Sequence, residues 1–135
     1  MILVDANILM YAAGAEHPYK APSVQLLEKV ADGSVDAALD AEVLQEVLHR
    51  YRAIDRWADG GKVYDHARRI FGLVMPITTE ILDHARSLLD EHGGISARDA
   101  LHASVVVVRD LDALCSYDRG FDQIPTIRRV EPSEL

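Results

Sequence analysis

The chain has 135 residues, 49% of them hydrophobic and 27% charged, with a formal net charge of −8 and a single cysteine. That balance describes one folded domain with a proper core, which excludes a disordered chain and a disulfide scaffold. No apolar run approaches the ~20 residues of a membrane span, and the acidic balance argues against a nucleic-acid binder unless bound cations invert the local field.

Met1-Ile2-Leu3-Val4 is a run of large apolar residues that stops at Asp5. Such a run reads as a strand buried on both faces of a parallel sheet. A carboxylate cannot continue it cheaply, so the strand ends where Asp5 meets water, a metal ion or a partner. No signal peptide is expected ahead of this strand. Ala6 to Ala13 is a short helix ending at Gly14, and Pro22 suits the first turn of a second helix to about Ala31, with Val24, Leu27 and Val30 inward. Val35 to Leu39 is a second strand. Asp40 caps a helix over about Ala41 to Ile54, whose inward residues are Val43, Leu44, Val47, Leu48 and Tyr51.

Asp59-Gly60-Gly61 is expected to break the chain before a helix from Lys62 to Leu73. Val74 to Ile77 is a short third strand. Thr78 or Thr79 caps a helix to about Glu91, and Ser96 caps a long one to about Arg109. Ala113 to Ser116 is the next strand, Gly120-Phe121-Asp122 a turn, and Thr126 to Val130 a last strand. Strands alternating with helices predict an α/β fold around a parallel sheet. Cys115 sits in an apolar stretch and reads as a buried free thiol, in keeping with a cytoplasmic protein.

The chemistry is carried by acids at element ends. Asp5 and Asp118 close strands, Asp99 lies in the first turn of the helix that feeds the second of them, and Glu46 lies on the helix after the second strand. In open α/β sheets the ligand crevice lies outside the carboxyl ends of the strands. Right-handed crossovers therefore let Asp5, Asp118 and Glu46 converge on one edge, and Asp99 joins them if the helix from Thr79 to Glu91 pairs with the one from Ser96 and returns the chain to that side. Clustered carboxylates repel one another unless a cation sits between them, and hard oxygen ligands suit Mg²⁺ or Mn²⁺. Such a site fits in-line hydrolysis of a phosphodiester. Each acid has a structural alternative: Asp5 and Asp118 as caps, Asp99 with Ser96 as a capping box, Glu46 on a solvated face with Glu42, and Asp122 paired with Arg119. His102, three residues after Asp99, reads as a packed or hydrogen-bonded histidine.

Four segments together resemble a known family. They are Val4-Asp5-Ala6-Asn7-Ile8-Leu9, Leu44-Gln45-Glu46-Val47-Leu48, Ala97-Arg98-Asp99-Ala100-Leu101-His102-Ala103 and Cys115-Ser116-Tyr117-Asp118-Arg119-Gly120-Phe121-Asp122. In order and spacing they resemble the motifs of PIN-domain ribonucleases, and more narrowly the VapC-type toxins of type II toxin–antitoxin pairs. The resemblance covers the whole chain as a single PIN-like domain. It implies a three-layer α/β/α architecture with a parallel sheet of four to five strands, and Mg²⁺- or Mn²⁺-dependent endonuclease action on RNA. Carried over by motif, Asp5, Glu46, Asp99 and Asp118 are the catalytic acids, with Asp5, Asp99 and Asp118 holding the metal. Asp122 is an auxiliary acid, and Asn7 and Ser116 are polar neighbours that orient ligands or water. The resemblance also implies a homodimer and a cognate antitoxin whose tail enters the site.

Rival readings fare less well. A phosphatase of the haloacid-dehalogenase type needs D-x-D, but the third position here is Asn7, which cannot serve as the general acid. A receiver domain needs a late lysine, and none follows Lys62. The scattered histidines offer no zinc motif. Two rivals remain: a non-catalytic module that grips a basic partner in the acidic pocket, and a general RNA-processing nuclease. Arg50, Arg98 and Arg119 are the candidate RNA contacts.

Overall fold

The computed structural model describes residues 1–135. Its elements run β1 (Ile2–Val4), α1 (Ala6–Ala13), α2 (Lys20–Ala31), β2 (Ala37–Asp40), α3 (Ala41–Ala53), α4 (Trp57–Ile70), β3 (Val74–Met75), α5 (Thr79–Glu91), α6 (Ala97–Val108), β4 (Ala113–Cys115) and β5 (Arg129–Val130). A 3₁₀ turn, Arg119–Gln123, joins β4 to β5. All strand pairs are parallel, in the order β3-β2-β1-β4-β5.

The short apolar strands form the middle layer because both faces of each are covered. Ile2 and Val4 join Leu39, Ala113 and Cys115 in a core with α1, α2, α3 and α4. Leu3 points the other way and packs with Ala38, Leu114 and Met75 against α5 and α6. This two-residue alternation divides the core into two halves, one on each side of the sheet. Leu3, Ile8, Leu39, Ile81, Leu114 and Phe121 are fully buried, and each contributes roughly 1.5–3 kcal/mol of apolar transfer. No helix is long and apolar enough to cross a membrane.

The three-layer α/β/α expectation holds, with five strands. Several boundaries differ. β2 begins at Ala37 rather than Val35, because the Val35 N–H is bonded to the Lys29 carbonyl at the end of α2. β3 stops at Met75, before Pro76, which has no N–H to give a ladder. β5 is only Arg129–Val130, because Ile127 N–H turns back to the Ile124 carbonyl. The inward face of α2 is Ser23, Leu26 and Leu27, with Val24 and Val30 half-buried.

The largest correction is at Gly60-Gly61, where α4 runs straight through. A Cβ at Gly60 would lie 2.5 Å from Tyr51 Cβ. That glycine is therefore a contact surface that lets α4 close on α3, not a breaker.

The strand order sets the position of the site. From central β1 the chain builds outward to β2 and β3, then crosses to β4 on the other side. The reversal lies between β1 and β4, and the crevice at such a switch point opens outside the strands' carboxyl ends. Asp5 follows β1 there and Ser116 follows β4.

Candidate metal centre

Asp5 caps α1 and is 7% exposed. Its Oδ1 accepts the Ala6 N–H at 2.7 Å. Its Oδ2 accepts the Ser116 hydroxyl at 2.6 Å and the Asn7 amide at 3.2 Å. Ser116 Oγ in turn accepts a second Asn7 amide proton at 2.9 Å and the Asp118 N–H at 3.0 Å. The hydroxyl thus uses its one donor and both acceptor positions, tying the end of β4 to the end of β1. Burial raises the Asp5 carboxyl above its usual range, while the His102 charge and the Ser116 bond pull it back.

Glu46 projects from α3, with Oε1 3.0 Å from Arg98 Nε and Oε2 3.2 Å from His102 Nε2. Glu42, one turn earlier, lies 3.6 Å from the same Arg98 nitrogen but does not line the cavity. Its carboxyl is raised by burial and by the charge of Glu46.

Asp99 enters from the first turn of α6, where its N–H is bonded to Ser96 Oγ at 3.1 Å. Its carboxylate makes no return bond to the cap, so the reciprocal half of a capping box is absent. Burial, then the negative charges of Asp118 and Asp5, push this carboxyl up to about 6. Asp118 caps the 3₁₀ turn by accepting the Gly120 N–H at 2.8 Å. A Cβ on Gly120 would meet Asp118 Oδ1 at 3.0 Å and Asp99 Oδ2 at 3.5 Å. The glycine keeps the space beside both carboxylates open.

These four acids, with Asn7, line one cavity of about 780 Å³ whose rim carries Arg50 and Arg98. Two of them, Asp5 and Glu46, also place ligand atoms within 4.8 Å of His102. Asp99 and Asp118 line the same cavity but stand outside that close group, and Asp99 is left without a hydrogen-bond donor; carboxylate oxygens of this kind suit a hard divalent cation. Asp122 is not part of this arrangement. It forms a two-point ion pair with Arg129, at 2.9 and 3.3 Å, and lies outside the cavity. The partner is Arg129 rather than Arg119, because Arg129 on β5 lies beside the 3₁₀ turn and also donates to the Ser116 carbonyl at 2.9 Å.

Two residues at the site carry more than the sequence suggests. Asp40 caps α3 through Oδ1, bonded to the Val43 N–H at 2.9 Å, and meets His102 Nδ1 through Oδ2 at 2.6 Å. Both residues are buried. Burial alone would lower the His102 pKa, but hydrogen bonds to Asp40 and Glu46 and the charges of Asp40 and Asp5 outweigh it and raise it well above its usual value. The available signal was positional: Asp40 ends a strand as Asp5 does, and His102 stands one turn beyond Asp99.

The PIN domain family model matches residues 2–127. The chain is 45% identical over 130 residues to ribonuclease VapC13 of Mycobacterium tuberculosis, covering 96% of this chain and 99% of that one. The chain is a VapC-family PIN domain. It is also 30% identical over 118 residues to ribonuclease VapC23 of the same species, covering 87% of this chain and 93% of the relative. The solved VapBC2 of Rickettsia felis, bound to a DNA fragment from its promoter, superposes with a TM-score of 0.77 at 19% identity, over 97% of this chain and 98% of the other. At that identity the superposition speaks for the fold alone.

Proposed function

We propose that this VapC-family chain is a Mg²⁺- or Mn²⁺-dependent endoribonuclease that acts in the cytoplasm as the toxin of a toxin–antitoxin pair. The convergence of Asp5, Glu46, Asp99 and Asp118 on one cavity at the β1/β4 switch point carries this reading. Asp5, Asp99 and Asp118 would hold the cation, and Glu46 completes the acid ring. A divalent ion bound there supplies a lowered pKa for an attacking water and offsets the charge that builds on the phosphate.

The chain's own residues prepare that chemistry. Ser116 and Asn7 hold the Asp5 carboxylate in one orientation, so no reorganisation is needed when substrate arrives. Arg50, at the cavity rim, is placed to meet a phosphate of the RNA backbone. Arg98 is already engaged by Glu46 and Glu42. The net charge of −8 then ceases to be an objection, because part of it is the acid cluster that the cation neutralises. A homodimer and a cognate antitoxin belong to the same proposal, by likeness to the VapC family.

The test is cleavage of structured RNA by the purified protein with Mg²⁺ or Mn²⁺, with chelator, and by Asp5→Asn. Cleavage only in the metal-loaded wild type is expected. RNA surviving equally in every lane, across several substrates, would turn the reading toward a binding module that grips a basic partner.

A further inference from the structure

Glu46 reaches the cavity on a side chain with three rotatable bonds, so something must aim it. Arg98 holds one oxygen, but that side chain is 48% exposed and shared with Glu42. The other oxygen faces His102, whose side chain is 1% exposed. The imidazole cannot swing away, because its second nitrogen is held by Asp40 at 2.6 Å, and Asp40 is itself 0% exposed. Asp40 is anchored in turn by its bond to the Val43 N–H, three residues before Glu46 on α3.

The result is a closed loop: Asp40, the first turns of α3, Glu46, His102, and back to Asp40. It also joins α3 to α6 at the point where α6 presents Asp99. Nδ1 faces the Asp40 carboxyl and Nε2 faces that of Glu46, with Asp5 Oδ1 farther off at 3.9 Å, so a ring that carries its proton on Nε2 donates to Glu46.

We propose that His102 is a positioning residue: clamped by Asp40, it donates Nε2–H to Glu46 and fixes that carboxylate toward Asp5 and the cation site. The proposal rests on the role given to Glu46 above. Its chemistry is that of a buried hydrogen bond orienting a catalytic carboxylate, and such supporting contacts are worth roughly 10- to 100-fold in metal affinity or activity.

Glutamine and asparagine separate the two nitrogens of the ring. The glutamine amide reaches the place of Nε2 and can donate to Glu46. The asparagine amide reaches only the place of Nδ1. His102→Gln and His102→Asn are made in an Asp40→Asn background, where the side chain at 40 still caps α3 and carries no charge left behind when the ring is removed. Each variant is compared with the Asp40→Asn parent. Thermal melting first confirms that all are folded.

The expected result is that His102→Asn lowers kcat on a hairpin RNA roughly 10- to 100-fold with KM unchanged, while His102→Gln stays within about threefold. Mn²⁺ binding to the RNA-free protein, followed by calorimetry, should weaken in the same order. Equal losses in both variants would mean that a nitrogen of the ring serves as ligand or filler, and would overturn the proposal. So would full activity in His102→Asn. If the wild type cleaves no RNA, the ribonuclease reading fails, and the calorimetric order of the two variants still decides the role of His102.

Discussion

The two walls of the acid cavity are built on opposite principles. On the β1 side, Asp5 receives hydrogen bonds from Ala6, Ser116 and Asn7, and the hydroxyl that holds it is itself saturated. On the α6 side, Asp99 receives none and faces Asp118 and Asp5, which help to push its carboxyl up to about 6. The first wall is complete without a ligand. The second has unbalanced charge that a cation would balance. A site so divided can hold its geometry in the empty state, because hydrogen bonds organise the Asp5 side, while the unbalanced charge beside Asp99 would favour a cation.

The comparison breaks most sharply at Asp5. Asp5→Asn keeps the size but removes the charge and one of the two acceptor oxygens, so it should lower RNA cleavage on the order of 10²–10³-fold, with some loss of melting temperature because either the Ala6 N–H or the Ser116 and Asn7 donors lose their acceptor. Next is Ser116→Ala, which takes the hydroxyl donor from the buried Asp5 carboxylate and an acceptor from the Asn7 amide and the Asp118 N–H. It should cost about 1–3 kcal/mol of stability, read as a fall of roughly 4–11 °C in Tm, together with a smaller loss of activity. The least effect belongs to Asp122→Asn. Its ion pair with Arg129 is partly exposed and outside the cavity, so stability should change by less than about 1 kcal/mol and the cleavage rate should stay close to wild type. A large loss of cleavage in Asp122→Asn would show that the active wall extends beyond Asp118.

The same division explains what could be read from the amino-acid order. Asp5, Asp99 and Asp118 announce themselves because each sits at the boundary of a strongly patterned element, where a carboxylate has few structural uses beyond capping. Asp40 looked equally like a cap and is one. Its second contact, to His102, joins residues 62 positions apart and leaves no local mark. For Asp122 the sequence offers a local partner, Arg119, whereas the partner in the fold is Arg129, which only the sheet brings near. Gly60 was read by its backbone freedom, whereas its use is the absence of a side chain where Tyr51 comes close. Local patterning is therefore legible, and long-range pairing within the core is not.

The most direct test of the charge-loaded wall is the melting temperature of wild type and Asp99→Asn at pH 7.5, metal-free and then with Mn²⁺. The raised Asp99 carboxyl means that the metal-free fold is favoured while Asp99 is protonated, below its ordinary pKa, and loses that stability as pH rises through about 6. Metal-free Asp99→Asn should accordingly melt a few degrees above wild type at pH 7.5, on the order of 2–5 °C after allowance for solvent screening. That gap should shrink by pH 5, and Mn²⁺ should raise the wild type more than the variant. A metal-free variant that melts at or below the wild type, with Mn²⁺ shifting both equally, would contradict the account.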